Sequence, residues 1–388
     1  MVKTLGWVLE KGNFKRGEKR VPANLKLKEY EFNQLSENET IVEPVYGCWE
    51  GNMTHAIDRK PIDICRFRRE DEVIIGNAGV VKVIETGSKV TTVKKGDYAL
   101  LFANGIPDHA GYMELALGYD APNLMGILAK KSNIHQRNLI PIPKNSKYSL
   151  KQWAAFSLRY VTAWSNWKLA YGTFRLQLDE KDCPNPYVAG WGGGVAFAEL
   201  QLAQLQGCQT AMITSQDSRI DQLKRHNITP IDRRDFPDLY FQKEKFDQDL
   251  EFRKKYRRSE RIFLEKIREA GKGQHANIFI DNIGAPVFQA TIKAISREGV
   301  VTTCGWKEGE EITNTMRTVS CIKRHQHINT HYARYNEGVE AVKFAEESGW
   351  MPEDDFPVYN WENVPELAKD YKEGKISSYF PLYQVNPE

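Results

Sequence analysis

Residues 186–216, PYVAGWGGGVAFAELQLAQLQGCQTAMITSQ, decide the fold of this chain. An apolar run leads into a cluster of glycines, and a helix-forming stretch and a second apolar run follow. This order predicts a strand, a glycine loop, a helix and a parallel strand, which together start a βαβ unit. Glycines allow the backbone to approach a pyrophosphate closely, and the N-terminus of the following helix stabilises its negative charge. We therefore predict dinucleotide binding at this loop, with a tight turn that holds no ligand as the alternative. The loop residues predicted to bind the cofactor are Gly190, Gly192, Gly193, Gly194 and Val195.

The end of the second apolar run indicates which dinucleotide is preferred. An NAD site usually has an acidic residue at this position, where it accepts hydrogen bonds from the ribose hydroxyls. Here Ser215 and Gln216 occupy the strand end, and Arg219 follows closely. Hydroxyl groups and a guanidinium suit a 2′-phosphate, which Arg binds through charge-assisted hydrogen bonds. We predict NADPH, with Ser215, Arg219 and Arg233 on the adenosine side, although Asp217 is an acidic residue that argues for NADH.

The remaining sequence predicts the domain organisation. Its first 150 residues are rich in short strand patterns and turn signals, and apolar residues at helical spacing follow Ser149. The segment 236–272 is densely charged, which predicts a solvated helical insertion followed by a helix at RIFLEKIREA, 261–270. A basic partner-binding patch at 253–258 is the alternative. ANIFIDNIG and GVVTTCGW then supply further strands of the parallel sheet. The predicted divisions are 1–155, 156–320 with the insertion, and 321–388, the last returning to the first domain.

Bulk properties exclude several function classes. A net charge of +3 in 388 residues argues against nucleic acid or a membrane surface as a partner. The sequence has no apolar run long enough to span a bilayer, and its start lacks a signal-peptide core, so a cytoplasmic location is expected. Six scattered cysteines without a Cys-x-x-Cys pair argue against a disulfide framework and against a structural zinc lobe.

Several motifs in this order resemble one superfamily along nearly the whole chain. A strand-rich N-terminal half precedes RYVTAW at 159–164, GGGVA at 192–196, DNIG at 281–284 and CGW at 304–306. This order is similar to the medium-chain dehydrogenase/reductase superfamily, and within it to enoyl-thioester reductases and crotonyl-CoA carboxylase/reductases. The late stretch NTHYARYNEG matches that branch at His331, Tyr332, Ala333 and Tyr335. The resemblance implies an α/β protein, with a doubly wound Rossmann domain and a GroES-like, partly open β-barrel catalytic domain.

The resemblance also predicts that no metal is used. Zinc-dependent members take ligands from three positions, which fall here on Cys48, Asn77 and Leu158. A catalytic zinc needs about three nitrogen, sulfur or carboxylate ligands, which Asn and Leu do not supply. An unrelated site built from Cys48, His55 and Cys65 is the alternative.

A hydride-transfer enzyme without a Lewis acid requires a substrate that delocalises its own negative charge. An enoyl thioester, carried on CoA or an acyl carrier, is therefore the predicted substrate, and a quinone or an aldehyde is the alternative. A non-catalytic NADPH-binding protein is a further alternative. Carboxylation is not predicted, because Asp108 and His109 lie near the position where carboxylating relatives have a Phe-Glu pair.

The resemblance assigns the remaining site residues. It implies a catalytic role for His331 and Tyr160, and it places Cys48, Trp49 and Asn52 on the loop that lines the substrate. Packing is the alternative role for Tyr160, Thr162 and Trp49, and a structural role is the alternative for His331. The positions that it implies for cofactor binding are Thr162, Asn282, Gly284 and Gly305. Relatives commonly pair their last Rossmann strand across a two-fold axis, so GVVTTCGW predicts a homodimer.

Overall fold

The computed structural model describes residues 1–15, 18–305 and 318–388. The chain forms two compact units. Unit 1 comprises residues 1–161 and 333–388, and unit 2 comprises residues 162–332.

The strands are β1 Val2–Glu10, β2 Lys26–Phe32, β3 Glu39–Cys48, β4 Glu72–Ile74, β5 Gly79–Thr86, β6 Tyr98–Leu101, β7 Asn104–Pro107, β8 Met113–Ala116, β9 Ser132–His135, β10 Leu139–Pro141, β11 Tyr187–Trp191, β12 Gln209–Thr214, β13 Thr229–Asp232, β14 Ala276–Asp281, β15 Ile295–Thr302, β16 His327–Asn329, β17 Val358–Tyr359 and β18 Leu382–Gln384. The α-helices are α1 Gly51–Asp58, α2 Ile64–Arg68, α3 Leu150–Phe156, α4 Arg159–Arg175, α5 Gly194–Leu205, α6 Asp217–Arg225, α7 Lys243–Gln248, α8 Leu250–Ala270, α9 Ala285–Ala294, α10 Tyr335–Ser348 and α11 Val364–Lys372.

Unit 2 contains a parallel sheet with the strand order β13-β12-β11-β14-β15-β16. Its central strands β11 and β14 are buried along their whole length, which explains their continuous apolar sequence. The strand order reverses between β11 and β14, so the loops that leave these strands diverge at their carboxyl ends. A ligand-binding crevice forms at such a reversal in doubly wound sheets. The predicted Rossmann fold is confirmed.

The boundary of unit 2 differs from the predicted one because a short late strand joins the parallel sheet. β16 pairs with β15, and unit 2 continues to Tyr332 rather than ending near residue 320. This pairing also corrects the structural basis of the predicted dimer. β15, the GVVTT strand, has β14 on one side and β16 on the other, so its edge is not open. Trp306 of the CGW motif lies outside the described residues.

The charged segment 236–272 is not wholly solvated, which corrects the prediction. Its helix α8 is amphipathic, with Tyr256, Phe263 and Ile267 on the buried face. Phe263 stacks on Trp191 of the central strand, with ring centroids 5.0 Å apart. The charged residues occupy the opposite face, and their density hides the apolar positions in the sequence pattern.

Unit 1 is built around β3. This strand pairs with β5, β9 and β18, so its hydrogen-bonding groups are used along both edges. β18 comes from the end of the chain, and the C-terminal segment therefore completes the sheet that the N-terminal segment begins. β1, β2 and β4 form a separate three-stranded sheet. The predicted GroES-like barrel is confirmed in this unit. Within residues 1–15, 18–305 and 318–388, no helix combines the length and hydropathy that crossing a membrane requires.

We expect Phe263→Ala to lower the free energy of unfolding by about 3–5 kcal/mol, because it removes a buried aromatic side chain from the core of unit 2. Lys255→Ala, on the exposed face of the same helix, is the control and should change it by less than about 0.5 kcal/mol. Urea denaturation monitored by circular dichroism measures both. Equal, small effects would show that α8 is a solvated insertion after all.

Candidate active site

The glycine loop of unit 2 has the open geometry of a phosphate-binding turn. Gly192 has a φ of +145°, and a Cβ there would lie 3.0 Å from the Cβ of Asn282. A Cβ on Gly193 would meet no atom within 4 Å, so open space lies beside the residue that precedes α5. The first N–H groups of a helix have no partner inside the helix, and they bind anions readily. Gly190 lies within β11, where a Cβ would come 3.0 Å from the Cβ of Ile280.

The loop after β14 lies beside this glycine loop. Asn282 accepts a hydrogen bond from the Cys304 N–H at 2.9 Å through Oδ1, while its buried Nδ2 has no protein partner. A buried donor of this kind requires a ligand or a water molecule to satisfy it. The N–H of Gly284, a predicted cofactor-binding residue, donates to the carboxylate of Asp281 at 3.1 Å. Gly305 lies next to the same loop, with its Cβ position 3.8 Å from the Asn282 carbonyl oxygen.

His331 is held at the same edge of the sheet by its backbone. Its N–H donates to Oδ1 of Asn166 at 3.1 Å, and its carbonyl oxygen lies 3.1 Å from Oγ of Ser165. The next residue, Tyr332, donates its hydroxyl proton to the Cys304 carbonyl at 2.6 Å. Hydrogen bonds therefore join the segments that follow β14, β15 and β16. We call Gly192–Gly194, Asn282, Cys304, His331 and Tyr332 the strand-end cluster.

The adenosine side of the predicted cofactor site lies at the ends of β12 and β13. Ser215 is exposed directly after β12, Arg219 belongs to the first turn of α6, and Arg233 follows β13. Asp217, the acidic residue that argues for NADH, accepts a hydrogen bond from the Arg234 guanidinium at 2.7 Å. Arg234 also pairs with Asp232. The negative charge of Asp217 is therefore partly compensated, which favours a phosphorylated ribose.

The loop that follows β3 in unit 1 contains one member of a buried ion pair that the sequence did not predict. Nε of Arg159 lies 3.0 Å from both carboxylate oxygens of Glu50, and both side chains are almost inaccessible to solvent. Arg159 also donates to the carbonyl oxygens of Trp49, at 2.8 Å, and of Tyr379. A buried charge must be paired and hydrogen-bonded to be tolerated, and this guanidinium is both. The ion pair therefore fixes the loop that follows β3.

The three residues predicted to line the substrate differ in burial and in hydrogen bonding. Cys48 is fully buried, and burial raises the pKa of its thiol, so it is a neutral thiol. Trp49 is a core residue whose indole N–H donates to Thr54 at 3.0 Å. Asn52 lies in the first turn of α1, and its buried Oδ1 has no protein partner. Asn52 alone combines partial exposure with an unsatisfied polar atom, so it is the best placed of the three to contact a ligand.

Tyr160 and Thr162 are both buried on α4. Tyr160 packs in an aromatic cluster of unit 1, with its ring centroid 4.7 Å from Trp350 and 5.1 Å from Phe156. Burial raises the pKa of its hydroxyl well above the ordinary value, which makes proton donation less favourable. These contacts match the packing role that was the alternative for Tyr160.

The positions that hold zinc in metal-dependent relatives carry no metal-ligand set. Asn77 is 1% exposed, and neither polar atom of its side chain has a protein partner. Leu158 directly precedes the buried Arg159. Cys65, from the alternative site, contacts the Leu9 carbonyl oxygen. Across the described ranges 1–15, 18–305 and 318–388, no group of three or more His, Cys, Asp or Glu residues is arranged to hold a metal ion.

No family model matches the chain. It is 25% identical over 308 residues to the crotonyl-CoA reductase of Streptomyces avermitilis, covering 76% of this chain and 65% of the relative. It is 26% identical over 218 residues to the crotonyl-CoA reductase of Streptomyces collinus, covering 56% of this chain and 45% of the relative. The matched chain therefore spans less than two thirds of the length of these relatives.

Solved structures match over the whole chain. The crotonyl-CoA carboxylase/reductase AntE in complex with NADP has a TM-score of 0.78 at 19% identity, covering 100% of this chain and 96% of that one. The 2-octenoyl-CoA carboxylase reductase CinF, in complex with NADP and 2-octenoyl-CoA, has a TM-score of 0.78 at 18% identity, covering 100% and 88%. A thermostable alcohol dehydrogenase from Pyrobaculum aerophilum has a TM-score of 0.71 at 16% identity, covering 99% and 100%.

The two units and the strand-end cluster define a protein with the medium-chain dehydrogenase/reductase fold. The chain is similar to crotonyl-CoA reductases and to crotonyl-CoA carboxylase/reductases, so the resemblance predicted from the sequence is confirmed.

We expect Arg159→Met to lower the free energy of unfolding by about 3–5 kcal/mol, because it leaves the Glu50 carboxylate buried without its partner. The double variant Glu50→Gln with Arg159→Met should recover much of this loss, since no unpaired charge remains. Lys3→Met removes one member of an exposed ion pair with Glu29 and should cause little change. Urea denaturation of the four proteins measures these effects, and a double variant no more stable than Arg159→Met would contradict the explanation.

Proposed function

We propose that this protein is an NADPH-dependent, zinc-independent reductase of an enoyl thioester carried on CoA or an acyl carrier. The observation that carries the proposal is the strand-end cluster. It combines an open glycine loop at a helix N-terminus with a buried, unsatisfied donor on Asn282 and a backbone-anchored histidine. The relatives named as crotonyl-CoA reductases support the same reaction class.

The residues of unit 2 fit a dinucleotide. Gly193 leaves space beside the first N–H groups of α5, where a pyrophosphate would be held, and Nδ2 of Asn282 offers a hydrogen-bond donor. When NADPH is bound, it supplies a hydride. Ser215, Arg219 and Arg233 would contact the phosphorylated ribose, and the loop at Gly284 and Gly305 would border the nicotinamide end.

Zinc independence follows from the chemistry of the residues at the ligand positions. Asn77 and Leu158 cannot form a catalytic zinc site with Cys48. Negative charge that develops on a thioester carbonyl must then be stabilised by hydrogen-bond donors. His331 donates to this oxygen or holds a water molecule that does so.

The likeness to crotonyl-CoA reductases favours a thioester over a quinone or an aldehyde. Reduction without carboxylation is the proposed reaction. Near the position of the Phe-Glu pair of carboxylating relatives, the Asp108 carboxylate is occupied, because it accepts the N–H groups of Ala110 and Tyr112 at 2.8 and 2.9 Å. A homodimer remains a prediction, and its interface is not the edge of β15.

NADPH consumption with a substrate panel tests the proposal. We expect turnover with short enoyl-CoA or acyl-carrier thioesters, little with quinones or saturated aldehydes, and the same rate after dialysis against a chelator. Product analysis by mass spectrometry, with and without bicarbonate, should show the saturated acyl thioester in both cases. Loss of activity with stoichiometric zinc removal, or turnover of aldehydes alone, would refute the proposed chemistry.

Arg219→Ala should weaken NADPH binding by about 1.5–3 kcal/mol, the usual contribution of a hydrogen bond to a charged group, and leave NADH binding nearly unchanged. Lys224→Ala, at the other end of α6, is the matched control and should affect neither cofactor. Isothermal titration calorimetry with both cofactors measures the difference. An equal loss for the two cofactors would place Arg219 away from the 2′-phosphate.

His331→Ala should lower kcat by about 10²–10⁴-fold, the usual contribution of a positioned acid–base group. NADPH affinity and the thermal midpoint should stay close to those of the wild type, because the backbone hydrogen bonds of residue 331 do not need its ring. A variant that is clearly less stable, with activity proportional to its folded fraction, would show that the ring is structural.

A further inference from the structure

The cofactor helix α5 contains a buried acid that the proposed reaction does not use. Glu199 is fully buried on α5, although most of the buried residues of this helix are apolar. Its Oε1 accepts a hydrogen bond from Nδ2 of Asn166 at 3.1 Å, and its Oε2 has no protein partner. A buried carboxyl group is unfavourable in a core, so its presence calls for an explanation.

Asn166 connects this acid to the strand-end cluster. The backbone N–H of His331 can only donate, so Oδ1 of Asn166 must face it, at 3.1 Å. This orientation turns Nδ2 towards Glu199, whose Oε1 accepts a hydrogen bond from it. The His331 N–H fixes which way the amide of Asn166 points, since a reversed amide would place two donors together, and Glu199 holds the other end of the amide. Ser165, the neighbour of Asn166, lies within 3.1 Å of the His331 carbonyl oxygen and supports the same peptide segment.

We propose that Asn166 and Glu199 are positioning residues, which hold the His331 backbone at the orientation needed for catalysis. This inference rests on the proposed role of His331 in the reduction. Helices α4 and α5 and the segment after β16 are thereby joined by one chain of hydrogen bonds inside unit 2. Motion of either helix would shift His331, and a displacement of about 1 Å at a catalytic group can lower the rate by about 10²-fold.

Glu199 acts mainly through its hydrogen-bond acceptor. Burial raises the pKa of its carboxyl group to about 8, while the hydrogen bond from Asn166 opposes that rise. The carboxyl group is therefore largely protonated at pH 7, and a neutral side chain with an acceptor oxygen should replace it. Glu199→Gln supplies such a side chain, whereas Glu199→Leu keeps a similar volume without the acceptor.

The variants separate positioning from packing. Asn166→Leu and Glu199→Leu should lower kcat by about 10- to 100-fold at pH 7, with little change in the KM for NADPH. Glu199→Gln should retain wild-type kcat.

A neighbouring contact between the same helices provides the matched control. The indole N–H of Trp167 donates to Oε1 of Gln206 at 2.9 Å, and this bond does not involve His331. Gln206→Leu should keep wild-type kcat even if it lowers the thermal midpoint as much as Asn166→Leu does. If Gln206→Leu lowers kcat equally, the effect is one of general packing and the proposal is wrong.

Hydrogen exchange of the His331 amide gives a readout that does not depend on activity. In protein labelled with [15N]histidine, the resonance that disappears in His331→Ala identifies this amide. Its exchange should be at least tenfold faster in Asn166→Leu and Glu199→Leu, and unchanged in Glu199→Gln and Gln206→Leu. Wild-type exchange in Asn166→Leu would overturn the proposal.

Different results would contradict the positioning role of Asn166 and Glu199 and the proposed role of His331. If His331→Ala lowers kcat but Asn166→Leu does not, the positioning role is wrong and the proposed function is unaffected. If His331→Ala retains wild-type kcat, the proposed role of the histidine is wrong, and the catalytic purpose of the positioning residues is overturned with it.

Discussion

All the strands of the parallel sheet in unit 2 end at one edge, and their order reverses between β11 and β14. The loops diverge there, so the backbone groups that follow the strands cannot all pair with one another. Side chains take their place: Asn282 accepts from Cys304, Tyr332 donates to Cys304, and Asn166 accepts from His331. These bonds join the loops that follow β14 and β15 to the segment that carries His331, and this segment to α4. The unsatisfied Nδ2 of Asn282 is the point at which this network is open to a ligand.

Each unit also contains a buried polar pair next to residues of the predicted site. In unit 1 the ion pair of Glu50 and Arg159 fixes the loop after β3 and the segment at Tyr379. In unit 2 the pair of Glu199 and Asn166 orients the support of His331. Burying such groups costs free energy, and apolar residues of similar volume often give equal or greater stability. Both pairs adjoin residues that we assign to the substrate or to catalysis, so their benefit lies in positioning rather than in stability.

Arg159 lies next to one of the positions that correspond to zinc ligands in metal-dependent relatives. It directly follows Leu158, where zinc-dependent relatives have a ligand, and its guanidinium reaches the backbone of the loop that begins at Cys48. A zinc ion would organise such a loop by direct coordination. Here a permanently charged side chain organises it through directed hydrogen bonds.

The sequence by itself determined the fold class, the glycine loop and the identity of the residues at the zinc positions. These features depend on local order along the chain, namely an apolar strand, glycines and a helix, or on single positions in a recognisable motif. Tertiary structure decided the rest, because it depends on contacts between distant segments. Only the fold brings Arg159 to Glu50 and Glu199 to Asn166, places Tyr160 in an aromatic cluster, and adds β16 to the sheet so that β15 is not an edge. The burial of Phe263 was also invisible in the sequence, since the dense charges on the other face of α8 mask its apolar period. Two side chains that are far apart in the chain leave no local pattern in the sequence when they pair. The residues that position the site form pairs of this type.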